Sequence, residues 1–309
     1  MIRSLGESNT LGNGANEARS RVIARALAKS ARTPAVAATG RPVVEGVALG
    51  VVYAVSIASL VGFATFAMHP ELLVSARVSA ETYGRMMVLA PRGQIIIAFA
   101  ALAAVLVRRV GMRWVAAFAV VYLVSLGAEL AGTTVGLPFG PYRYTDGLGW
   151  KWLGHVPALI PASWFMMALP SYAIAEWRYP EPTRAVPRVV LGSFILLSWD
   201  LALDPAMSLA TKYWIWGTDG PYYGMPLLNL AGWFITGALL MVAFVALRVD
   251  EWVRRLSPAW LVAYYGANLV LPVGMCIAAG LWGAVLATGV ALLIAWMIAR
   301  AGTRAGVRP

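Results

Sequence analysis

The chain has 309 residues, 60% of them hydrophobic and only 13% charged, and apolar runs of membrane-spanning length recur along nearly all of it, which excludes a soluble enzyme and a disordered chain. The formal charge of +11 speaks of topology and not of nucleic acid, since seven of the 25 Lys and Arg precede residue 42 and most others flank apolar runs. A single cysteine, Cys276, lies inside an apolar run, can form no intrachain disulfide, and reads as packing.

Residues 1–41 mix Gly, Ser, Asn, Ala and Arg with no apolar stretch before Val43, the composition of a disordered basic tail in which residues 16–33 could form a surface helix. The first long apolar run lacks a short h-region with a small-residue cleavage site, so Val44 to Met68 is expected as a retained first span and not a cleaved signal. Further spans are predicted at about 92–107, 113–132, 157–175, 188–209, 226–247, 258–277 and 281–299, making eight. The last two touch at Gly280, but together they are too long for one crossing. The expected fold is therefore all-α, a polytopic helical bundle in a single domain over 42–300, with a short basic tail at 301–309. With eight crossings, 19 Lys and Arg fall on the side of the termini and 6 on the other, which predicts cytoplasmic termini in a multi-pass plasma-membrane protein.

Two segments carry acids and rings in the same order. Glu129 leads to Tyr142-Arg-Tyr144, Thr145-Asp146-Gly147, and Pro157 with Trp164; Asp200 leads to Trp214-Ile-Trp216, Thr218-Asp219-Gly220, and Pro226 with Trp233. Spans three and four run in the same sense as spans five and six, so the repeat is read as parallel, about an axis along the membrane normal. The positive-inside orientation places both acid-bearing helix ends and their loops on the outer side.

Carboxylates inside apolar helices are the sharpest chemical signal, because each costs about 2.5 to 3.5 kcal/mol to insert and must be offset by a partner or a role. Glu129, Asp200 and Asp204 qualify. Asp200 and Asp204 are four apart and share one helix face, with Trp199 beside them and Pro205 freeing a backbone carbonyl one turn back. A structural reading stands beside this one, in which Asp204 bonds the helix end and Glu129 pairs with Arg143. Burial and a neighbouring like charge let one of the three stay protonated and act as a general acid, while another holds or deprotonates a water. Asp146 and Asp219 sit in Thr-Asp-Gly turns, where turn formation explains them.

Many of the 13 Trp and 12 Tyr belong to an interfacial belt, but some, drawn from Tyr142, Tyr144, Trp199, Trp216, Tyr222, Tyr223 and Trp233, could line a pocket and face a desolvated cation. Asn229 could hydrogen-bond a water or hydroxyl, or another helix. His69 and His155 are the only histidines, there is no Cys/His cluster and no nucleotide fingerprint, so neither a metal nor a cofactor is expected. A buried acid, rings and lipid access suit protonation of an isoprenoid double bond to a tertiary cation that water captures.

The strings Glu129-Leu-Ala-Gly132-Thr-Thr-Val-Gly136-Leu-Pro-Phe139-Gly140-Pro-Tyr142-Arg-Tyr144, Val156-Pro157 to Trp164, Asp200-Leu-Ala-Leu-Asp204-Pro205 and Tyr222-Tyr223-Gly-Met-Pro226-Leu-Leu-Asn229-Leu-Ala-Gly232-Trp233 together resemble the CruF-type carotenoid hydratases. That resemblance implies addition of water across the terminal 1,2 double bond of an acyclic ψ end group, as in lycopene, γ-carotene or a bisanhydrobacterioruberin-like C50 carotenoid. It implies a carotenoid within the bilayer and water as reactants, no nucleic acid, and room for association with other enzymes of the pathway. The family's acidic positions correspond to Glu129, Asp200 and Asp204, and its Tyr-Tyr-Gly-x-Pro and Asn elements to Tyr222, Tyr223 and Asn229. On this reading Asp204 or Asp200 donates the proton and Glu129 handles the water. Two rivals remain open: a carotenoid cyclase starting from the same protonation, and a transporter or carotenoid-binding protein with no chemistry of its own.

Overall fold

Eight long helices run in alternating directions through residues 42–301, the part of the chain that the computed structural model describes. The tail expected over 1–41, and nearly all of that over 301–309, lie outside the described residues. Helix α1 (Pro42–Gly62) widens into a π-helical turn at Phe63–Ala67; α2 is Ala80–Val110, α3 Trp114–Val135 and α4 Leu159–Arg178. Helix α5 (Ala185–Asp204) continues as a π-helical turn over Pro205–Ala210, followed by α6 (Leu227–Ala246), α7 (Pro258–Ala278) and α8 (Trp282–Ala301).

Each of the eight predicted spans lies on one of these helices, and seven of the helices are long and apolar enough to cross a membrane. The eighth, α4, holds Trp164, Ser171, Tyr172, Glu176 and two prolines, and fifteen of its residues are buried, so its partners are other helices more than lipid. Neighbours on several sides pack against it: α2, α3, α5 and α7. The second span is longer than expected. Helix α2 begins at Ala80 because the Ser79 side chain accepts from the Thr82 amide as an N-cap, and the helix then runs through Pro91.

That continuity depends on a device used three times. A proline inside a helix has no N–H for the carbonyl four residues back, and in a membrane an unpaired carbonyl is costly. Pro91 frees the Met87 carbonyl, which accepts from the Tyr213 hydroxyl at 2.8 Å. Pro205 frees that of Leu201, which accepts from the Tyr222 hydroxyl at 2.8 Å, and Pro272 frees that of Asn268, which accepts from Trp199 Nε1 at 3.2 Å. Removing one such donor leaves a buried carbonyl unpaired. Tyr222→Phe should therefore destabilise the protein by about 1–3 kcal/mol, read as a lower unfolding midpoint in detergent; an unchanged midpoint would mean that this carbonyl finds another donor.

Polar links gather at one end of the bundle. Arg109 pairs with Glu45 at 2.5 Å, Trp260 donates to the Glu45 carbonyl, and Arg254 pairs with the buried Glu176 at 2.5 Å. Arg188, also buried, bonds the Tyr172 hydroxyl and the Tyr179 and Glu181 carbonyls, and Arg178 reaches the Ile298 carbonyl. The long motif-bearing loops occupy the other end. They add short strands that an all-helical expectation did not contain, since elements of two or three residues leave no periodicity to read. Strand β1 (Tyr142–Tyr144) pairs antiparallel with β4 (Trp214–Trp216), and β2 (Lys151–Trp152) with β3 (Val156–Pro157).

Candidate functional site

The two acid-and-ring segments meet through β1 and β4. Tyr142 lies opposite Trp216 and Tyr144 opposite Trp214, with Arg143 opposite Ile215. Side chains alternate across a strand, so Tyr142 and Tyr144 point inward together while Arg143 is exposed. The Glu129–Arg143 pair considered from the sequence is therefore not formed. Glu129 has three other partners. Its Oε2 accepts from the Tyr142 and Tyr144 hydroxyls, the latter at 2.8 Å, and its Oε1 accepts from Trp164 Nε1 at 2.8 Å. Three donors and no acceptor suit a carboxylate, and one of its roughly four lone-pair positions is left for a further donor.

Glycines let this loop approach. A Cβ on Gly132 would lie 2.8 Å from both Phe139 and Tyr142, and one on Gly232 would lie 2.6 Å from the Pro138 carbonyl oxygen and 2.7 Å from Phe139. Phe139 is thus wedged between α3 and α6 at the two positions without side chains. The loop is also tied down outside: Arg92 bonds the carbonyls of Asp146 and Gly147, and Lys151 bonds both the Asp146 carboxylate and the Tyr144 carbonyl. The Lys151 ammonium lowers the Asp146 pKa, in keeping with the turn role expected for Asp146.

The opposite wall comes from α5. Asp204 Oδ1 accepts from Trp214 Nε1 at 2.7 Å, and its Oδ2 accepts from Asn229 Nδ2. The same amide nitrogen donates to Asp200 Oδ2 at 3.1 Å, so one side chain of α6 ties both aspartates together. Asp200 Oδ1 is buried without a hydrogen-bond partner among the described residues. Asp204 ends the α-helical part of α5 at the π-helical turn, a feature found often at functional sites. Its carboxyl caps no helix end and instead ties β4 and α6 to α5.

Trp164 and Trp233, the tryptophans of the doubled Pro-x6-Trp element, stack on each other with centroids 4.0 Å apart and planes at 21°. Trp199 meets Trp233 edge-on at 6.0 Å. Between these walls lies a cavity with ≈ 40 Å³ for the centres of water-sized molecules. Glu129 and Asp204 both line it, with the rings of Phe139, Tyr142, Tyr144, Trp164, Trp199, Trp214, Trp216 and Trp233, and with Asn229. Glu129, Asp200, Asp204 and Asn229 are each at most 4% exposed. A space of this size suits a few waters or the tip of an apolar chain.

The structure brings together eight of the eleven residues singled out in the sequence: Glu129, Asp204, Tyr142, Tyr144, Trp199, Trp216, Asn229 and Trp233. Asp200 stands behind Asp204, held by Asn229 but outside the lining. Tyr222 and Tyr223 lie elsewhere: Tyr222 serves the Leu201 carbonyl, and the Tyr223 hydroxyl packs at Gly283 on α8. Trp164, Trp214 and Phe139 also line the cavity; the first two belong to the repeated elements, and Phe139 to the string that carries the family resemblance. His155 is exposed in the β2–β3 turn, and among the described residues no group of three or more His, Cys, Asp or Glu could hold a metal ion.

Burial, then the charge of Glu129, raise the Tyr142 and Tyr144 pKa values well above 10. Burial also pushes Tyr213 to about 12. These phenols therefore remain donors through neutral and mildly alkaline pH. In the unfolded chain they ionise near 10, so the unfolded state binds fewer protons than the folded one above that pH, and stability should fall as pH rises past about 10. Absorbance at the phenolate band should show this class of tyrosines ionising only together with unfolding; their titration near pH 10 in the folded protein would contradict the assignment.

The sequence pattern of the family described as Carotenoid biosynthesis protein matches residues 93–295, which include every residue of the cavity. Bisanhydrobacterioruberin hydratase of Haloarcula japonica is 31% identical over 138 residues, covering 44% of this chain and 45% of that protein. The chain thus aligns with less than half the length of this curated relative. No solved structure matches the chain.

Proposed function

The chain belongs to the carotenoid biosynthesis protein family and is an integral membrane protein, and from that premise we propose that it is a carotenoid hydratase that adds water across the terminal double bond of an acyclic ψ end group. The observation that carries this reading is the placement of two carboxyl groups, Glu129 on α3 and Asp204 on α5, on opposite walls of one cavity lined mostly by rings. The hydratase activity borne by the name of the Haloarcula relative supports it.

In the proposed reaction Asp204, in its acid form, gives its proton to the less substituted carbon of the terminal double bond. The positive charge then rests on the tertiary carbon, where ring faces of the lining can stabilise it, by about 2 kcal/mol or more for one face in a desolvated setting. A water held at the free lone pair of Glu129 attacks that carbon and passes a proton to the carboxylate. The proton returns to Asp204 through cavity water, leaving the net addition of one water and a tertiary alcohol. Asp200 and Asn229 keep Asp204 in place. No group beyond the protein and water enters this balance.

The positive-inside rule puts the loop-bearing end on the outer face, where water and the end of a bilayer-spanning carotenoid meet. The substrates that fit are lycopene, γ-carotene and C50 carotenoids with acyclic ends. The test is expression in a lycopene-accumulating host followed by mass analysis of the pigments. A gain of one water per converted end supports the hydratase; an isomer of unchanged mass would indicate cyclisation instead, and unaltered pigment would sink both.

A further inference from the structure

The reaction cavity is far too small for a carotenoid, and the rest of the molecule has to lie somewhere. A second, larger hollow opens between the C-terminal half of α1 and the N-terminal half of α2, at the same end of the bundle, with ≈ 410 Å³ for water-sized centres. Its walls come from residues such as Val55, Phe63, Phe66, Met86 and Leu89, its floor from Met207, Tyr213, Leu271 and Met275, and no charged side chain lines it. Resting on the hydratase reading, we propose that this groove holds the polyene body of the carotenoid while its end group reaches the acids.

Two features join the groove to the cavity. Trp199 and Leu203 line the cavity, and Met207 and Thr211 line the groove. These residues are spaced by four along α5, its π-helical extension and the residue that caps it, and so form one stripe leading from one hollow to the other. On the floor, adjacent residues divide the same way: Trp214 faces the cavity and binds Asp204, while Tyr213 lines the groove and bonds the Met87 carbonyl on α2. The groove is widened by the absence of side chains. Gly62 and Gly93 line it, and a Cβ at either would meet nothing within 4 Å. Met86, Met87, Met207 and Met275 supply a polarizable surface that adapts to a conjugated chain. An acyl chain of a membrane lipid is the competing occupant, and it lacks the length and rigidity that would require continuity with the cavity.

The test fills the groove. Gly62→Leu with Gly93→Leu adds bulk to open space, and in helical backbone Leu is a better helix former than Gly, so folding should be kept; an unchanged thermal midpoint checks this. Wild type, the double variant and Asp204→Asn are purified in detergent from lycopene-producing cells, and extracted pigment is measured per protein. Wild type and Asp204→Asn are expected to retain pigment, and the double variant roughly tenfold less, the factor for about 1.4 kcal/mol of binding. Equal retention by the folded double variant, or recovery of phospholipid and no pigment from the wild type, overturns the groove assignment. The two readings fail separately. Pigment lost on filling with no alcohol ever formed leaves the groove and sinks the hydratase, whereas alcohol formed at the same rate by the filled variant leaves the hydratase and sinks the groove.

Discussion

Asp204→Asn is expected to lower the hydration rate by about 10²–10⁴-fold, the range that a positioned general acid contributes. The substitution is chosen because it removes the proton while keeping the size and shape of the side chain. Asn keeps a carbonyl oxygen to accept from Trp214, now at 2.7 Å from Asp204 Oδ1, and the amide of Asn229 can turn its own oxygen toward the new amide hydrogens, giving up its bond to Asp200. The protein should therefore fold and retain its pigment. Asp200→Asn should cost much less, about tenfold, because Asp200 lies outside the lining of the cavity and shares Asn229 with Asp204. The measurement is the ratio of tertiary alcohol to substrate over time in membranes supplied with lycopene. Full activity in Asp204→Asn would end its role as proton donor, and equal losses at both positions would mean that the two aspartates act as one unit.

That ranking of the aspartates was not legible in the sequence, for a physical reason. Two acids spaced by four share a helix face, but which one reaches a cavity depends on where the neighbouring helix contributes its side chains. Here α6 places Asn229 between them. The acids themselves were legible because a carboxylate in an apolar helix has few neutral explanations. The same logic did not extend to tyrosines. Tyr222 and Trp199 look alike as candidate wall residues, and each also serves a carbonyl that a proline has freed, Pro205 in its own segment and Pro272 some seventy residues away. Only the first of these pairings involves a carbonyl that the sequence had singled out.

The helices were legible from apolar runs, including α4, whose polar residues make it the least membrane-like of the eight and the most enclosed. The start of α2 was not, since the apolar run that marks the span begins only at about 92, after Pro91. In the folded chain the Met87 carbonyl freed by Pro91 is taken by Tyr213, and Arg92 is used by the loop at Gly147. Both explanations lie in other segments, each more than fifty residues further on. The doubled pattern, read as two walls, acquires from β1 and β4 the contact that joins them: each wall's aromatic-x-aromatic element is the other's strand partner. A single insertion in either loop would misalign both.

Glu129→Gln should separate the second step from the first. Its three donors, Tyr142, Tyr144 and Trp164, occupy both carboxylate oxygens, so an amide nitrogen placed there must face at least one donor instead of accepting from it. That clash costs about 1–3 kcal/mol and should lower the unfolding midpoint. The chemical effect is distinct. Asp204 can still protonate the double bond, but no carboxylate holds the water or takes its proton, and alcohol formation should fall by about 10²–10⁴-fold. The cation then has another way out, loss of a proton from a neighbouring carbon, which gives an isomer with the mass of the substrate. Glu129→Gln should therefore raise the share of double-bond isomers relative to alcohol, whereas Asp204→Asn should make neither. Tyr144→Phe, which removes one donor and keeps the carboxylate, should cost only about tenfold and leave the product ratio near that of the wild type. The isomer share, followed by chromatography of equal-mass pigments, decides the matter: wild-type amounts of alcohol from Glu129→Gln would place the base elsewhere, and a loss of all conversion would assign Glu129 to the protonation step instead of to the water.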